Sequence, residues 1–425
     1  MTAPDRRGFL RTAGALSLTA AGVAHAASDK LGIAVIGCGA RGQAHLHRLL
    51  ARTDVTVAGV CDVWDGLDDE YEVTAGGRAV KRRYRQGLRP AAAQAGLDPA
   101  DRDRVTKDYR RLLDRPDVAA VVIATPDHAH ARLTLDALAA GKDVLVEPPL
   151  AHTAAGAKAV AEAAAKSGRV LAVACQSLAD PNWRLVRQHL TEVSHLSAGI
   201  FRGDPRGYGR FVRLARQMTP RTVDWPAFLG PDVPPRPFDR ASFAQWRCEA
   251  AFGGGPLVDL LVQPLTRLLA AANLREPLRV TAGGGLFAEH DGRDVPDALT
   301  LVADFPGCQL VLTGSTLGGT QQPEMLRGRR GTVELVRGGL KLADGSRVED
   351  VPPVDETAAL WDDFLRCVRT RDAAGVLCGP ALGAAAASIL AEAFARVRSE
   401  QRVGDNGLSP PDWQKLGGPW DADDA

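Results

Sequence analysis

A cluster of glycines near the N-terminus has a spacing that can bind the phosphates of a nucleotide. Gly37, Gly39 and Gly42 form the pattern G-x-G-x-x-G, which directly follows a short apolar run and opens a helical pattern. In a strand–turn–helix unit, Gly37 permits the tight turn, Gly39 lets the backbone approach a pyrophosphate, and Gly42 allows the helix to pack on the strand. The helix N-terminus then faces the phosphates. We predict a dinucleotide site; a glycine-rich turn without a ligand is the alternative.

The acidic residue that ends the next apolar run indicates which dinucleotide binds. Asp62 lies twenty residues beyond Gly42, where a carboxylate accepts hydrogen bonds from the ribose hydroxyls of NAD. Arg41 stands inside the glycine pattern, and a guanidinium close to the ribose could pair with the additional phosphate of NADP. The sequence therefore favours NAD and leaves NADP open.

Histidines are the next candidates for chemistry. His128 follows a predicted strand, at the edge of an open sheet where ligands bind, and the ordinary histidine pKa of about 6.5 suits proton transfer. A capping or ribose-side contact is the alternative role. His45 and His47, like His128 and His130, stand two residues apart, and such pairs point away from each other on a helix. We predict no metal site.

The elements that position these residues alternate along the first half of the chain. Five apolar runs are separated by helical patterns, for example the pattern at residues 154–167. The first run begins at residue 31, and the others lie at 55–61, 118–124, 143–146 and 169–175. Strands that are apolar throughout and joined by helices indicate a parallel sheet covered on both faces. A longer segment at 65–115 interrupts this alternation and carries the basic cluster Lys81-Arg82-Arg83-Tyr84-Arg85. We predict that this cluster forms a solvated helix face; a contact with a nucleotide phosphate is the alternative.

After residue 176 the pattern changes to short alternating runs, which are typical of antiparallel strands. These runs lie at residues 278–281, 298–305, 309–313, 332–336 and 340–343. Segments 361–371 and 381–397 are predicted to form closing helices. The predicted fold class is α/β: a doubly wound parallel Rossmann sheet at 30–176, an α+β domain with an open, mostly antiparallel sheet at 177–400, and a C-terminal tail at 401–425.

The first 26 residues have the layout of a twin-arginine export signal. Arg6 and Arg7 precede an apolar stretch at residues 13–24, and the small-residue sequence Ala24-His25-Ala26 follows. This order of basic, apolar and small-residue regions predicts an exported protein of the periplasm or cell envelope. A basic N-terminal tail with a chance arginine pair is the alternative.

Composition restricts the classes of partner. The 52 Lys and Arg residues balance 51 Asp and Glu residues, for a net charge of +1, so no global field favours nucleic acid or an anionic surface. After the N-terminal segment no uninterrupted apolar stretch approaches the roughly 18 to 20 residues that cross a bilayer. The seven cysteines are scattered without a CxxC pair, which predicts reduced, buried side chains.

Motifs along nearly the whole chain resemble the family of glucose-fructose oxidoreductase, inositol 2-dehydrogenase and the rhizopine-catabolism oxidoreductases. The similar stretches are GCGARG (37–42), ATPDHAHA (124–131), GKDVLVEPPLAHT (141–153), Gln176, VDWPAFLGP (223–231), FAQWR (243–247), FGGGPLVD (252–259), VPDALT (295–300) and DDFLRCVRTR (362–371). The resemblance implies a second domain whose open sheet shapes the substrate pocket, a sugar or polyol substrate, and a homo-oligomer. With the glycine pattern it predicts these cofactor contacts: Gly37, Cys38, Gly39, Ala40, Arg41, Gly42, Asp62, Ala124, Thr125, Pro126, His128, Glu147 and Gln176.

The chain departs from this family at the positions that handle the proton. The family usually has Glu-Lys-Pro where this chain has Glu147-Pro148-Pro149, and Pro148 offers neither a side-chain donor nor a backbone N–H. It commonly has a histidine four residues after the aspartate of GGGxxxD, where Asp259 is followed by Gln263. An amide can hydrogen-bond a hydroxyl but cannot exchange a proton near neutral pH.

The remaining catalytic candidates are therefore Asp259, Gln263 and His128. Asp259 could act as a weak base or bind a substrate hydroxyl; a carboxylate satisfied by backbone N–H groups at a helix N-terminus is the alternative. The leading hypothesis is an NAD(P)-dependent oxidoreductase acting on a sugar or polyol hydroxyl. The alternatives are a nucleotide-holding binding protein without turnover, and a redox-neutral carbohydrate eliminase or isomerase that keeps NAD tightly bound.

Overall fold

The computed structural model describes residues 30–400, apart from 76–77, 183–184, 187–191, 204–212, 330, 337–338 and 349–353. The predicted export signal at 1–26 and the predicted tail at 401–425 lie outside the described residues.

The first half of the chain forms the predicted parallel sheet. Its apolar strands are buried on both faces, as expected where helices cover both sides, and they run in the order β5-β2-β1-β6-β7-β8. These strands are β1 Leu31–Ile36, β2 Val55–Cys61, β5 Val105–Thr106, β6 Ala120–Ile123, β7 Asp143–Val146 and β8 Leu171–Val173. The accompanying helices are α1 Ala40–Leu50, α2 Leu88–Ala95, α3 Arg110–Leu113, α4 Asp127–Ala139 and α5 Ala154–Ser167. The strand order reverses at β1 and β6, the position where open α/β sheets bind ligands.

The excursion after β2 differs from the prediction. It forms a two-stranded antiparallel ribbon of β3 Leu67–Ala75 and β4 Arg78–Gln86, so the basic cluster lies on a strand and the predicted helix face is wrong. Asp68 accepts hydrogen bonds from Arg83 at 2.6 Å and from Arg85 at 3.0 Å. The acidic strand opposite neutralises these two arginines, which argues against a nucleotide-phosphate contact.

The second half forms a mixed, mostly antiparallel sheet, as predicted. Its strands are β9 Val193–Phe201, β10 Arg279–Gly285, β11 Ala298–Phe305, β12 Cys308–Ser315, β13 Gln322–Gly328, β14 Gly331–Val336, β15 Gly339–Leu342 and β16 Arg347–Val348. They run in the order β10-β11-β12-β9-β13-β14-β15-β16, with β9 parallel to β12. The prediction missed β9, β13 and the two-residue β16. Polar Ser194, His195 and Ser197 weaken the apolar alternation of β9, and Pro323 interrupts β13.

The helices of the second half do not all stay with the second sheet. They are α6 Trp225–Leu229, α7 Arg240–Ala244, α8 Pro256–Ala271, α9 Glu356–Thr370 and α10 Pro380–Glu400. Trp361 and Phe364 of α9 are buried in one hydrophobic cluster with Leu46 and Leu49 of α1. The predicted division at residue 176 therefore does not separate two independent packing units, because α9 completes the core of the first domain.

Helix α10 closes the structure. Its residues 380–399 are long and apolar enough to cross a membrane by length and composition, but 56% of this apolar stretch is buried inside the protein. The helix packs against α5, α8 and β10, so its apolar character is explained by its position in the core. The seven cysteines are free and buried, which confirms their prediction as small buried hydrophobic residues.

Candidate active site

The glycine loop between β1 and α1 has the geometry that its spacing predicts. Gly37 has φ of +89°, and a Cβ there would lie 2.5 Å from the carbonyl oxygen of Ala124. A Cβ on Gly42 would lie 1.8 Å from the carbonyl oxygen of Gly37. Gly39 differs from both, because its φ is −69° and a Cβ there would meet no atom within 4 Å. The fold itself therefore requires Gly37 and Gly42, whereas Gly39 faces open space.

That open space is a cleft of about 950 Å³ between the two halves of the molecule. The carboxyl ends of β1, β2, β6 and β7 line one side, and α6, α7 and α8 supply residues to the other. All predicted cofactor and catalytic residues line the cleft except Cys38 and Gly42, which are buried behind the loop. The structure therefore brings together residues that lie more than 200 positions apart in the sequence.

Asp62 holds the glycine loop at one end of the cleft. Its carboxylate accepts a hydrogen bond from the Cys38 N–H at 2.6 Å and another from the Trp64 N–H at 2.8 Å. Burial raises the pKa of Asp62 to about 6, against the opposing effect of these two hydrogen bonds. Each carboxylate oxygen keeps a further lone pair with which it can accept a ribose hydroxyl.

Arg41 points away from Asp62, toward the opposite side of the loop. Its guanidinium binds both carboxylate oxygens of Glu147, at 2.8 and 3.1 Å, and the ring of His45 donates to the same carboxylate at 2.6 Å. Glu147 follows β7, whereas Asp62 follows β2 on the other side of β1. In this structure Arg41 therefore pairs with Glu147 and not with a group on the Asp62 side of the loop.

The Glu147 carboxylate is ionised in this environment. Burial raises its pKa, but the hydrogen bond from His45 and the charge of Arg41 outweigh burial and lower the pKa to about 2. The adjacent Pro148-Pro149 peptide bond is cis. Pro148 lines the cleft beside this ion pair and contributes no polar hydrogen there.

The two catalytic candidates on α8 both interact with other side chains of the protein. The Asp259 carboxylate forms an ion pair with the Arg247 guanidinium, so the alternative of a carboxylate satisfied by backbone N–H groups is not what the structure shows. Gln263 accepts a hydrogen bond from Ser177 at 2.6 Å and donates to the side chain of Gln176 at 3.3 Å. Gln176, predicted as a cofactor contact, and Gln263, predicted as a catalytic candidate, thus form one hydrogen-bonded pair.

His128 occupies a structural position. Its Nε2 lies 2.7 Å from the carbonyl oxygen of Phe228 and must donate to it, and its ring packs on Phe228 and Phe252. Burial lowers the pKa of His128 to about 4, so the ring is neutral at pH 7. This geometry supports the capping role, and a neutral, anchored imidazole is a poor group for proton transfer.

Sequence reasoning missed several polar atoms that line the cleft. The indole N–H of Trp64, the hydroxyl of Thr125 and Nδ1 of His128 are buried without a hydrogen-bond partner among the described residues. Buried polar groups are normally paired, so these atoms indicate a polar ligand. Asp127, adjacent to two predicted residues, also lines the cleft. The sequence could have indicated Asp127, since it begins α4 directly after β6, at the edge of the sheet where ligands bind.

The described residues also bear on metal binding. Within them, no group of three or more His, Cys, Asp or Glu side chains is arranged so that it could hold a metal ion.

Comparisons with known proteins agree with this architecture. Residues 31–175 match the family described as "Oxidoreductase family, NAD-binding Rossmann fold". Inositol 2-dehydrogenase of Streptomyces avermitilis is 37% identical over 145 residues, which cover 34% of this chain and 35% of that protein. Alpha-N-acetylgalactosaminidase of Shewanella oneidensis is 31% identical over 121 residues, which cover 28% of this chain and 23% of that protein.

Among solved structures, the similarity extends over both domains. The aldose-aldose oxidoreductase from Caulobacter crescentus, complexed with glycerol, superimposes with a TM-score of 0.62 at 20% identity, covering 88% of this chain and 98% of that one. The matches to the two curated relatives span about a third or less of those proteins' length. The shared fold is therefore established over most of the chain, and the sequence similarity is concentrated in the Rossmann domain.

Proposed function

Residues 31–175 match the NAD-binding Rossmann domain of an oxidoreductase family, and from this premise we propose that the chain is an NAD-dependent oxidoreductase acting on a hydroxyl of a sugar or polyol. One observation carries the proposal. A single cleft joins the open glycine loop and Asp62 at one end to Asp259 and Gln263 at the other.

The residues of the cleft fit NAD. Gly39 leaves room for a pyrophosphate at the N-terminus of α1, Asp62 is placed for ribose hydroxyls, and the buried, unpartnered Trp64 and Thr125 groups can bind further polar atoms. Because Arg41 is held by Glu147, we propose NAD rather than NADP. When bound, NAD supplies an acceptor for the hydride of the carbon that carries the substrate hydroxyl.

The far end of the cleft fits a polyhydroxylated substrate. Asp259, Arg247 and Gln263 line it with hydrogen-bonding groups, and the Trp246 ring adds an apolar surface. The Arg247 guanidinium lies 4.1 Å from the centre of that ring, which fixes both side chains. Convergent polar groups beside an aromatic ring are suited to orienting hydroxyls. The homo-oligomer implied by the resemblance stays a prediction.

The direct test is to identify what the protein carries and what it oxidises. We expect protein purified from its native host, then denatured, to release NAD(H) in about stoichiometric amount, identified by mass spectrometry. A panel of sugars and polyols should then include at least one that changes the reduced-nicotinamide absorbance, in single or multiple turnovers. Protein that neither releases nor binds NAD(H) would contradict the proposal.

A redox-neutral reaction is the second candidate, favoured by the similarity to a protein named alpha-N-acetylgalactosaminidase. It requires product without net change in the nicotinamide, and loss of that product when the nucleotide is removed. Retention of NAD with ligand-induced thermal stabilisation and no product from any carbohydrate would favour the binding-protein hypothesis.

We also propose export through the twin-arginine signal at residues 1–26. The order of Arg6 and Arg7, the apolar stretch and Ala24-His25-Ala26 supports it. Replacing both Arg6 and Arg7 by lysine should keep most of the protein in the cytoplasm with its N-terminus uncleaved, as measured by cell fractionation and mass spectrometry. Arg11→Lys, outside the pair, is the control and should leave export intact. Equal export of all three proteins would contradict the signal.

A further inference from the structure

We propose that Asp127 is the catalytic residue that exchanges the proton of the substrate hydroxyl in this protein. This inference rests on the proposed oxidoreductase function and assigns the proton step, which neither Pro148 nor Gln263 can perform. The position of Asp127 in the cleft, its burial and its neighbours support this role.

Asp127 is placed where the two halves of the cleft meet. It is the first residue of α4, at the carboxyl end of β6, and the cleft that it lines also contains Pro148 and Asp259. A Cβ on Gly253 would lie 2.9 Å from the Oδ2 atom of Asp127 and 3.0 Å from the Trp246 ring. The glycine at 253 therefore leaves room both for the Asp127 carboxyl group and for the Trp246 ring that lines the cleft.

The surroundings of Asp127 favour a carboxyl group that holds a proton. The residue is 4% exposed, and no other side chain among the described residues donates a hydrogen bond to it. Burial and the nearby Asp259 carboxylate raise its pKa well above the ordinary value of an aspartate, against the opposing effects of Arg247 and of its own backbone N–H. Arg247 is already engaged by Asp259, which limits the compensation that it can offer Asp127.

The other titratable groups of the cleft are less suited to this step. Asp259 is ion-paired with Arg247, and Glu147 with Arg41. His128 donates to a backbone carbonyl and is neutral at pH 7. A second cavity that Asp127 also lines has three further charged or titratable groups, His152, Glu392 and Arg398. Among the carboxyl groups that line the described cleft, Asp127 is the one that is buried, at 4% exposure, and has no ion-pair partner.

The step balances with NAD as the oxidant. On oxidation, the substrate O–H bond breaks and its proton passes to the Asp127 carboxylate, while the substrate carbon loses its hydrogen with the electron pair to the nicotinamide and a C=O bond forms. Reduction is the reverse, with the Asp127 carboxyl donating the proton. Oxidation needs the ionised form, so its Asp127-dependent rate should rise as pH increases through the raised pKa. The rate of reduction should fall over the same pH range.

The test compares Asp127→Asn with a matched control, Asp117→Asn. Asp117 lies near the opposite end of β6 and is paired with Arg115 at the surface. We expect Asp127→Asn to lower kcat by about a hundred- to ten-thousandfold, the usual contribution of a positioned acid–base group, and to remove the pH dependence. NAD binding, followed by nucleotide fluorescence, should stay within about threefold of wild type in both variants, since Asp127 is not assigned to the nucleotide. Asp117→Asn should retain wild-type kcat.

A second readout does not depend on turnover. Infrared difference spectra of wild type against Asp127→Asn, recorded over a pH series, should show a protonated carboxyl band that the variant lacks and that disappears as pH rises through the raised pKa. Asp127→Glu keeps the carboxyl and should recover part of the activity, which covers the case in which the asparagine variant fails to fold.

The outcomes separate the two proposals. An active wild type with an equally active, equally pH-dependent Asp127→Asn variant would overturn the role of Asp127 and leave the oxidoreductase proposal standing. Absence of the carboxyl band in an active wild type would also overturn it. A wild type that binds NAD and oxidises no sugar or polyol would overturn the oxidoreductase proposal, and with it this role.

Discussion

Replacing Gly39 by valine should abolish tight NAD binding while leaving the fold intact. The φ of −69° at Gly39 is accessible to valine, and a Cβ there meets no protein atom within 4 Å. The added side chain would instead occupy the space that a pyrophosphate needs at the loop. We expect NAD affinity to fall about 100-fold or more, equivalent to about 3 kcal/mol. Loss of glycine at the start of α1 should cost the apo protein only about 1 kcal/mol.

Two other glycine variants make this prediction specific. Gly283→Val places the same side chain in β10, where a Cβ also meets no atom within 4 Å, and it should bind NAD as wild type does. Gly42→Ala should lower the apo Tm, because its Cβ would lie 1.8 Å from a backbone oxygen. Isothermal titration calorimetry and thermal denaturation give the two readouts. Wild-type NAD affinity in Gly39→Val would show that the loop does not hold the pyrophosphate.

Glu147→Gln should be the most destabilising of the conservative changes in the cleft. Glutamine retains the shape but cannot balance Arg41, and it leaves the buried His45 ring beside a neutral amide. A pKa lowered from 4.5 to about 2 corresponds to about 3 kcal/mol of stabilisation. Because the Arg41 side chain is 44% exposed, solvent screening reduces the expected loss to about 2 kcal/mol. The exposed Glu162 gives the control, since Glu162→Gln should change stability by less than about 0.5 kcal/mol.

The contribution of Glu147 should also disappear in acid. Its pKa is lower in the folded protein than in the unfolded chain, so its stabilising effect is complete above about pH 4.5 and is lost as pH falls from there through about 2. The difference in unfolding free energy between wild type and Glu147→Gln should therefore shrink over this range. Denaturant unfolding at a series of pH values measures it. A difference that stays constant would contradict the assigned ion pair.

The Rossmann half of the molecule was readable from the sequence because its signals are local. Most strands of the parallel sheet are continuous apolar runs separated by helical patterns, so strands such as Val55–Cys61 and Asp143–Val146 agree with the prediction at both ends. The glycine spacing and Asp62 likewise lie within one strand–helix–strand unit. Short-range geometry is enough to place them at one edge of the sheet.

The second half was less predictable because its strands depend on distant partners. β9 is polar along part of its length and is stabilised by pairing with β12 and β13, more than 100 residues later. The ribbon that carries Lys81 to Arg85 was mispredicted for the same reason. Its run of charges is typical of a solvated helix, whereas in the structure Arg83 and Arg85 donate hydrogen bonds to Asp68 on the facing strand. Cross-strand pairing is not visible in a local pattern.

The sequence by itself determined the parallel sheet with its glycine loop, the resemblance to a known oxidoreductase family, and the presence of Pro148 and Gln263, since each of these is a matter of residue type at a fixed spacing. Only the tertiary structure decided what the polar side chains do. In it, Arg41 pairs with Glu147, and Gln263 hydrogen-bonds to Gln176. His128 donates to a backbone carbonyl, and Asp127 is buried near Asp259. The physical reason is that burial and charge neighbours set protonation, and those neighbours come from elements far apart in the chain.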